Sequence, residues 1–179
     1  TKAAKEFVAK QTGLGRVVVK EDVWQQVCDM AESVLNNEWY QRAQTDCIPE
    51  HSLIVKDEET GVYLKSRPDL CPQEDGRFIV DLKTTDRTVI DAWERSAIAD
   101  LRYDIQASLM VANAKHVLGI RPAGVMYVVV CKEPPYRVAI RTIRIDSDEG
   151  RDLLVSGWAS IVKAVNEFSV AYKTGKWVS

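Results

Sequence analysis

Two short segments hold the residues whose types and spacing suit chemistry: SRPDL at 66–70 and FIVDLKTT at 78–85. In an extended strand successive side chains alternate, so Phe78, Val80 and Leu82 share one face while Ile79, Asp81 and Lys83 share the other. Asp81 and Lys83 are then same-face neighbours roughly 6.5–7 Å apart along the strand. A carboxylate and an ammonium on a strand that packs in a core are costly unless they are paired or functional. Asp69 closes the preceding strand, and a hairpin brings it beside Asp81. Two carboxylates and a lysine suit metal-assisted phosphodiester hydrolysis: the carboxylates hold one or two Mg²⁺ ions, which polarise the phosphate and acidify an attacking water. The lysine orients that water and stabilises charge on the phosphorus centre. The competing reading is a plain salt bridge on a partly exposed strand. Composition alone gives roughly two Asp/Glu-x-Lys triplets in such a chain, and Asp81-Leu82-Lys83 is the only one present. The triplet is therefore a weak signal by itself, and its place on a strand strengthens it.

The elements that must position these residues follow from periodicity. The first third reads as helical. Val23, Val27, Met30, Val34 and Leu35 recur at helical spacing behind Glu21 and Asp22, stopping near Asn36-Asn37, and a second helical piece spans 38–44. From Pro49 the period changes. Residues 51–55, 62–69 and 78–84 read as three strands, with the DEETG turn (57–61) joining the first two and a polar turn at 71–77 before the third. Two helices are expected over 88–119, the second carrying Ile105, Leu109, Ala112 and His116 or Val117 on one side. The apolar run GVMYVVVC (124–131) marks a strand buried on both faces. Residues 136–145 form the next strand, and a helix capped by Asp146, Ser147 or Asp148 runs to about Thr174 before Gly175. The expected fold class is a mixed α/β (α+β) core with helices packed on a central sheet.

Bulk properties narrow the function. The 179 residues fit one domain. The composition, 46% hydrophobic and 28% charged, excludes disorder. No apolar run approaches the roughly 18–20 residues that span a bilayer. The net charge of −2 is too low for a basic nucleic-acid coat protein, yet it accommodates a nuclease whose acidic site offsets local Lys and Arg. Cys28, Cys47, Cys71 and Cys131 lack paired spacing, which argues against a zinc ribbon or iron–sulfur cluster and fits a reducing, cytoplasmic setting. The chain opens at Thr1 with neither an initiator Met nor a signal-like segment, and reads as the C-terminal fragment of a longer protein.

An Asp, a gap of about a dozen residues and Asp-x-Lys resemble the PD-(D/E)XK nuclease superfamily and its restriction-endonuclease-like core. The longer series is similar to the exonuclease VIII (RecE) family of phage-type recombination nucleases: Pro49-Glu50 opening a strand, DEETG, SRPDL, IVDLKTT and RYDIQ (102–106). That resemblance covers about 31–177. It implies a helical part at 1–48 followed by the nuclease core at 49–179, and a Mg²⁺-dependent (or Mn²⁺-dependent) exonuclease digesting linear double-stranded DNA from the 5′ end. By the same resemblance Asp69, Asp81 and the Leu82 carbonyl hold metal, Lys83 is the catalytic lysine, and Gln106 supports the site or touches DNA. Tyr103 lies beside Gln106, one helical turn earlier, facing DNA. Glu50 matches an acidic position at the first strand that reaches the metal directly or through water; the competing reading is a solvent-facing strand end. A ring-shaped homo-oligomer and a single-strand annealing protein as partner are also implied. Met110 stands where related enzymes often carry Tyr, and residues 1–50 contain no His, where many carry one in the metal shell.

Lys65, Arg67, Arg77, Arg87, Arg95 and Arg102 flank the expected site and suit phosphate contacts. Lys65 and Arg67 share the face of Asp69 if alternation runs unbroken. Thr84 and Thr85 either donate hydroxyls to a phosphate or simply end the strand. His51 reads as a packing or surface residue, His116 as part of a helix end, and no Ser, Cys and His form a triad. The rival functions are another superfamily nuclease of RecB or Cas4 kind, the latter disfavoured by the missing cluster cysteines, and a DNA-binding module that has lost turnover. A purely structural α/β protein would leave Asp81 exposed beside an ordinary surface lysine.

Overall fold

The computed structural model describes residues 1–86, 97 and 100–177. Its centre is set by the two most apolar strands. β6 (Gly124–Cys131) is buried along its whole length, and it pairs in parallel with β5 (Phe78–Thr85). Around them β1 (Cys47–Pro49), β4 (Leu70–Pro72) and β7 (Val138–Arg144) complete a mixed five-stranded sheet in the order β1-β4-β5-β6-β7. Every pairing but β5–β6 is antiparallel. β2 (Leu53–Lys56) and β3 (Tyr63–Ser66) form a separate hairpin.

Helices cover both faces, which is why β6 carries no polar alternation. On one side Val80, Met126, Val128 and Val130 pack with Val34 of α2 (Glu21–Leu35) and Tyr40 of α3 (Glu38–Ala43). On the other, Ile79, Val125, Tyr127 and Val129 meet Ala107, Met110 and Ala114 of α4 (Tyr103–Leu118). Leu153 and Leu154 of α5 (Asp148–Thr174) close that layer. Each fully buried Val or Ile contributes roughly 1.5–3 kcal/mol. Gly157 lets α5 lie directly on α4, because a Cβ there would collide with the Ser108 hydroxyl and the Asp104 carbonyl. The N-terminal helix α1 (Lys2–Gly13) buries none of its residues. Among the described residues no helix is long and apolar enough to cross a membrane.

The expected mixed α/β core is present, with instructive departures. The strand expected over 62–69 ends at Ser66; Pro68, buried and without an N–H, breaks it, and the chain re-enters the main sheet at Leu70. Lys65 and Arg67 therefore do not continue the alternation that leads to Asp69. The turn expected at 71–77 begins only after Pro72, and β1 precedes the strand opening expected at Pro49-Glu50. Most tellingly, the stripe Ile105, Leu109, Ala112 and Val117 is not the buried face of α4. The buried set is Asp104, Ala107, Ser108, Met110, Asn113 and Ala114. α4 is wedged between the sheet, the β2–β3 hairpin and α5, so close approach selects small and hydrogen-bonded residues over bulk. The first of the two helices expected over 88–119 begins outside the described residues, as do Arg87 and Arg95.

Candidate active site

The site forms where β4 diverges from β5. The register Leu70↔Val80 sets Asp69 opposite Asp81, as the expected hairpin requires. One residue on, the Leu82 N–H donates to Asp69 Oδ2 at 2.5 Å. An extended residue sends its N–H and C=O to the same side, so the Leu82 carbonyl faces the same edge as Asp69. Asp81 is 4% exposed on the α4 side of β5. Its Oδ1 accepts from Gln106 Nε2 at 3.2 Å, and its Oδ2 contacts the Lys83 ammonium. That ion pair supplies Asp81 Oδ2 with a charged donor, and Gln106 Oε1 is left as a buried acceptor with no donor. Flipping the Gln106 amide would only turn its oxygen toward the carboxylate, so the orientation seen is the favourable one. Burial pushes the Asp81 carboxyl above its usual range, opposed by the Lys83 ammonium and reinforced by the neighbouring Asp69.

Two residues at the site carried no sequence assignment as a pair. Tyr127 of β6 lies beside Asp81 in the parallel register, stacked on Tyr103 with ring centroids 5.5 Å apart, and its hydroxyl donates to the Tyr103 carbonyl at 2.8 Å. The Lys83 ammonium sits over both rings, 4.8 Å from the centroid of Tyr103 and 5.9 Å from that of Tyr127. The signal was a lone hydroxyl inside the otherwise apolar GVMYVVVC run. Tyr103, expected to face DNA, packs against Lys83 and Tyr127 from the first turn of α4.

The remaining candidates divide. Glu50 follows β1 in a left-handed turn (φ 52°) and its N–H donates to the Asp69 carbonyl. Its carboxylate pairs with Arg67 at 2.9 Å, both side chains half-exposed. Arg102 binds Asp104 through two hydrogen bonds and Ser160 through a third, so its guanidinium braces α4 against α5. Arg77 holds the Arg42 and Thr45 carbonyls behind α3. Lys65 is exposed on β3, Thr84 is exposed and Thr85 buried. His51 is half-buried, His116 is exposed in the last turn of α4, and Met110 is a core residue.

Among the described residues no group of three or more His, Cys, Asp or Glu stands ready to hold a metal ion, so a cation at this corner would draw on the two carboxylates and the Leu82 carbonyl, with water completing its shell. Two carboxylates, a peptide carbonyl and a buried acceptor lacking a donor match the oxygen ligands and retained waters that Mg²⁺ favours.

Comparison with known proteins agrees with the fold. A crystal structure described as that of a "Putative exonuclease" from Eubacterium rectale superposes with a TM-score of 0.56 at 10% sequence identity, covering 86% of this chain and 55% of that one. The chain therefore spans about half the length of that relative, and at this identity the likeness carries the fold alone. No curated protein matches the sequence. The model of one family, the PDDEXK-like domain of unknown function (DUF3799), matches residues 1–177. With nearly the whole sequence matched, the chain belongs to that PDDEXK-like family.

Proposed function

We propose that this chain is a metal-dependent exodeoxyribonuclease that digests linear double-stranded DNA. The observation that carries the reading is the convergence of Asp69, Asp81, Lys83 and Gln106 on one corner of the sheet, where two carboxylates, an ammonium and an amide meet. Asp69, Asp81 and the Leu82 carbonyl would hold Mg²⁺ or Mn²⁺, which supplies charge neutralisation at the phosphate and a more acidic water. Lys83 directs its ammonium at the attacking water and the non-bridging phosphate oxygens, where negative charge grows. Gln106 keeps Asp81 Oδ1 in one orientation, and the hydrogen bond from the Leu82 N–H does the same for Asp69. Glu50, paired with Arg67, would reach the ion directly or through water, as the resemblance implies.

The finer reading, 5′-to-3′ digestion in phage-type homologous recombination with a single-strand annealing partner, a ring-shaped homo-oligomer and a cytoplasmic site of action, is supported by the resemblance of SRPDL, IVDLKTT and RYDIQ to exonuclease VIII. The test uses linear duplex DNA labelled separately at each end, incubated with Mg²⁺ and then with EDTA, with Lys83→Ala alongside. Metal-dependent loss of the 5′ label, absent in the variant, is the expected result. Loss of the 3′ label reverses the polarity, cleavage of closed circular DNA removes the exonuclease class, and equal activity in Lys83→Ala overturns the assignment.

A further inference from the structure

The surroundings of Lys83 hold more than the acidic pair requires. A lysine has four rotatable side-chain bonds and loses rotamer entropy when fixed. At Lys83 the carboxylate of Asp81 takes one side of the ammonium, and two stacked rings take the side facing α4. Ring faces attract a cation through their quadrupole, most strongly where water is scarce, and the Lys83 side chain is only 18% exposed. The rings are themselves fixed. Tyr127 is 2% exposed, and its hydroxyl ties β6 to the carbonyl of Tyr103 in the first turn of α4, the helix that also carries Gln106. Phenylalanine would fill the same volume in an apolar strand, whereas the hydroxyl adds a cross-link between the strand beside Asp81 and that helix.

We propose that Tyr103 and Tyr127 are positioning residues: an aromatic cradle that holds the Lys83 ammonium at the Asp69–Asp81 corner, with the Tyr127 hydroxyl setting the distance between β6 and α4. This rests on the nuclease reading for its kinetic consequence, and on geometry alone for the placement of Lys83. A pair that merely fills the core would alter stability and leave the lysine where it is.

The test combines kinetics with a direct view of the lysine. In protein carrying ¹³C-labelled lysine, without added metal, the Lys83 ε-methylene protons, identified by their disappearance in Lys83→Ala, should be shifted upfield by the rings. Tyr103→Leu should reduce that shift to the smaller contribution of Tyr127. It should also lower kcat on linear duplex DNA about tenfold with KM held within about twofold, the scale of one desolvated cation–ring contact. Tyr103→Phe keeps the ring face and should restore kcat to within about twofold of the wild type, while Tyr127→Phe, losing the cross-link, should lower it by about threefold. An unshifted Lys83 methylene in the wild type overturns the cradle even if no variant folds. So does a folded Tyr103→Leu protein with unchanged kcat. If Lys83→Ala itself cleaves normally, the nuclease reading falls, and the methylene shift still decides whether the cradle exists.

Discussion

Asp81 and Asp104 lie on elements that pack against each other, and each is almost wholly removed from solvent, at 4% and 2% exposure. Their surroundings differ completely. Both oxygens of Asp104 receive the Arg102 guanidinium, at 3.0 and 2.9 Å, and the same guanidinium continues to Ser160 on α5. Asp81 has one amide donor on Oδ1 and the Lys83 ammonium on Oδ2, and its amide partner keeps an oxygen without a donor. A buried polar group that serves only the fold is normally saturated, because each missing partner costs about 1–3 kcal/mol. The contrast teaches that the kind of partner, more than burial, separates the aspartate that braces α4 from the one proposed to hold metal.

The comparison can be broken most sharply by cleavage. Asp81→Asn and Lys83→Ala should each reduce Mg²⁺-dependent digestion of linear duplex DNA by about 10³-fold or more, as expected when charge stabilisation at the reacting centre is removed. Asp104→Ala, assayed well below its melting temperature, should stay within about threefold of the wild type. Comparable losses in all three would erase the distinction.

Next in size is the response to metal. Near 100 times its dissociation constant a bound ion stabilises the folded chain by about 2.7 kcal/mol. A Mg²⁺ titration followed by thermal melting should therefore raise Tm in the wild type and in Asp104→Ala alike. Asp81→Asn should not respond. An unchanged wild-type Tm up to high millimolar Mg²⁺ would count against a cation at this corner.

Stability without metal should invert the order. Asp104→Ala frees Arg102 and its tie to Ser160, at a cost of about 1–3 kcal/mol. That corresponds to roughly 2–4 °C in Tm per kcal/mol for a chain of this size. Calorimetry in EDTA should give Asp104→Ala the lowest Tm of the set.

The smallest effect is a pH dependence. Burial raises the Asp81 carboxyl above its unfolded value, against the pull of Lys83. A raised carboxyl makes its favourable contribution while protonated, fully below the unfolded pKa, and loses it as pH rises through the folded one. In EDTA the Tm of Asp81→Asn relative to wild type should therefore climb from the ordinary carboxylate range, near pH 4, toward neutrality and then level off. A relative Tm that falls over the same interval would mean that the ion pair with Lys83 outweighs burial.

Much of the site could be read from residue order alone because strand geometry is local. Alternation along FIVDLKTT put Asp81 and Lys83 on one face with Ile79, and that is the face the structure turns toward α4. The continuous apolarity of 124–131 likewise announced a strand covered on both sides. Reading failed where the answer depended on a distant partner. Ile105, Leu109 and Ala112 formed the stronger-looking stripe, yet the packing of α5 at Gly157 and of the hairpin at Asn113 selected the opposite, smaller face. Nor could residue order show that Asp104 and Ser160 bind Arg102, or that Arg67 pairs with Glu50.

The sequence by itself determined the chemistry available here: two aspartates, a lysine and a glutamine, spaced so that a sheet and the helix after it bring them together, with strand and helix periods set by backbone geometry that each residue carries. Only the tertiary structure decided which partner each of these groups would meet. That choice is made between residues far apart in the chain, such as Asp81 with Gln106, Arg102 with Ser160 and Tyr127 with Tyr103. Their pairing energies exist only once water has been excluded from between the elements that carry them.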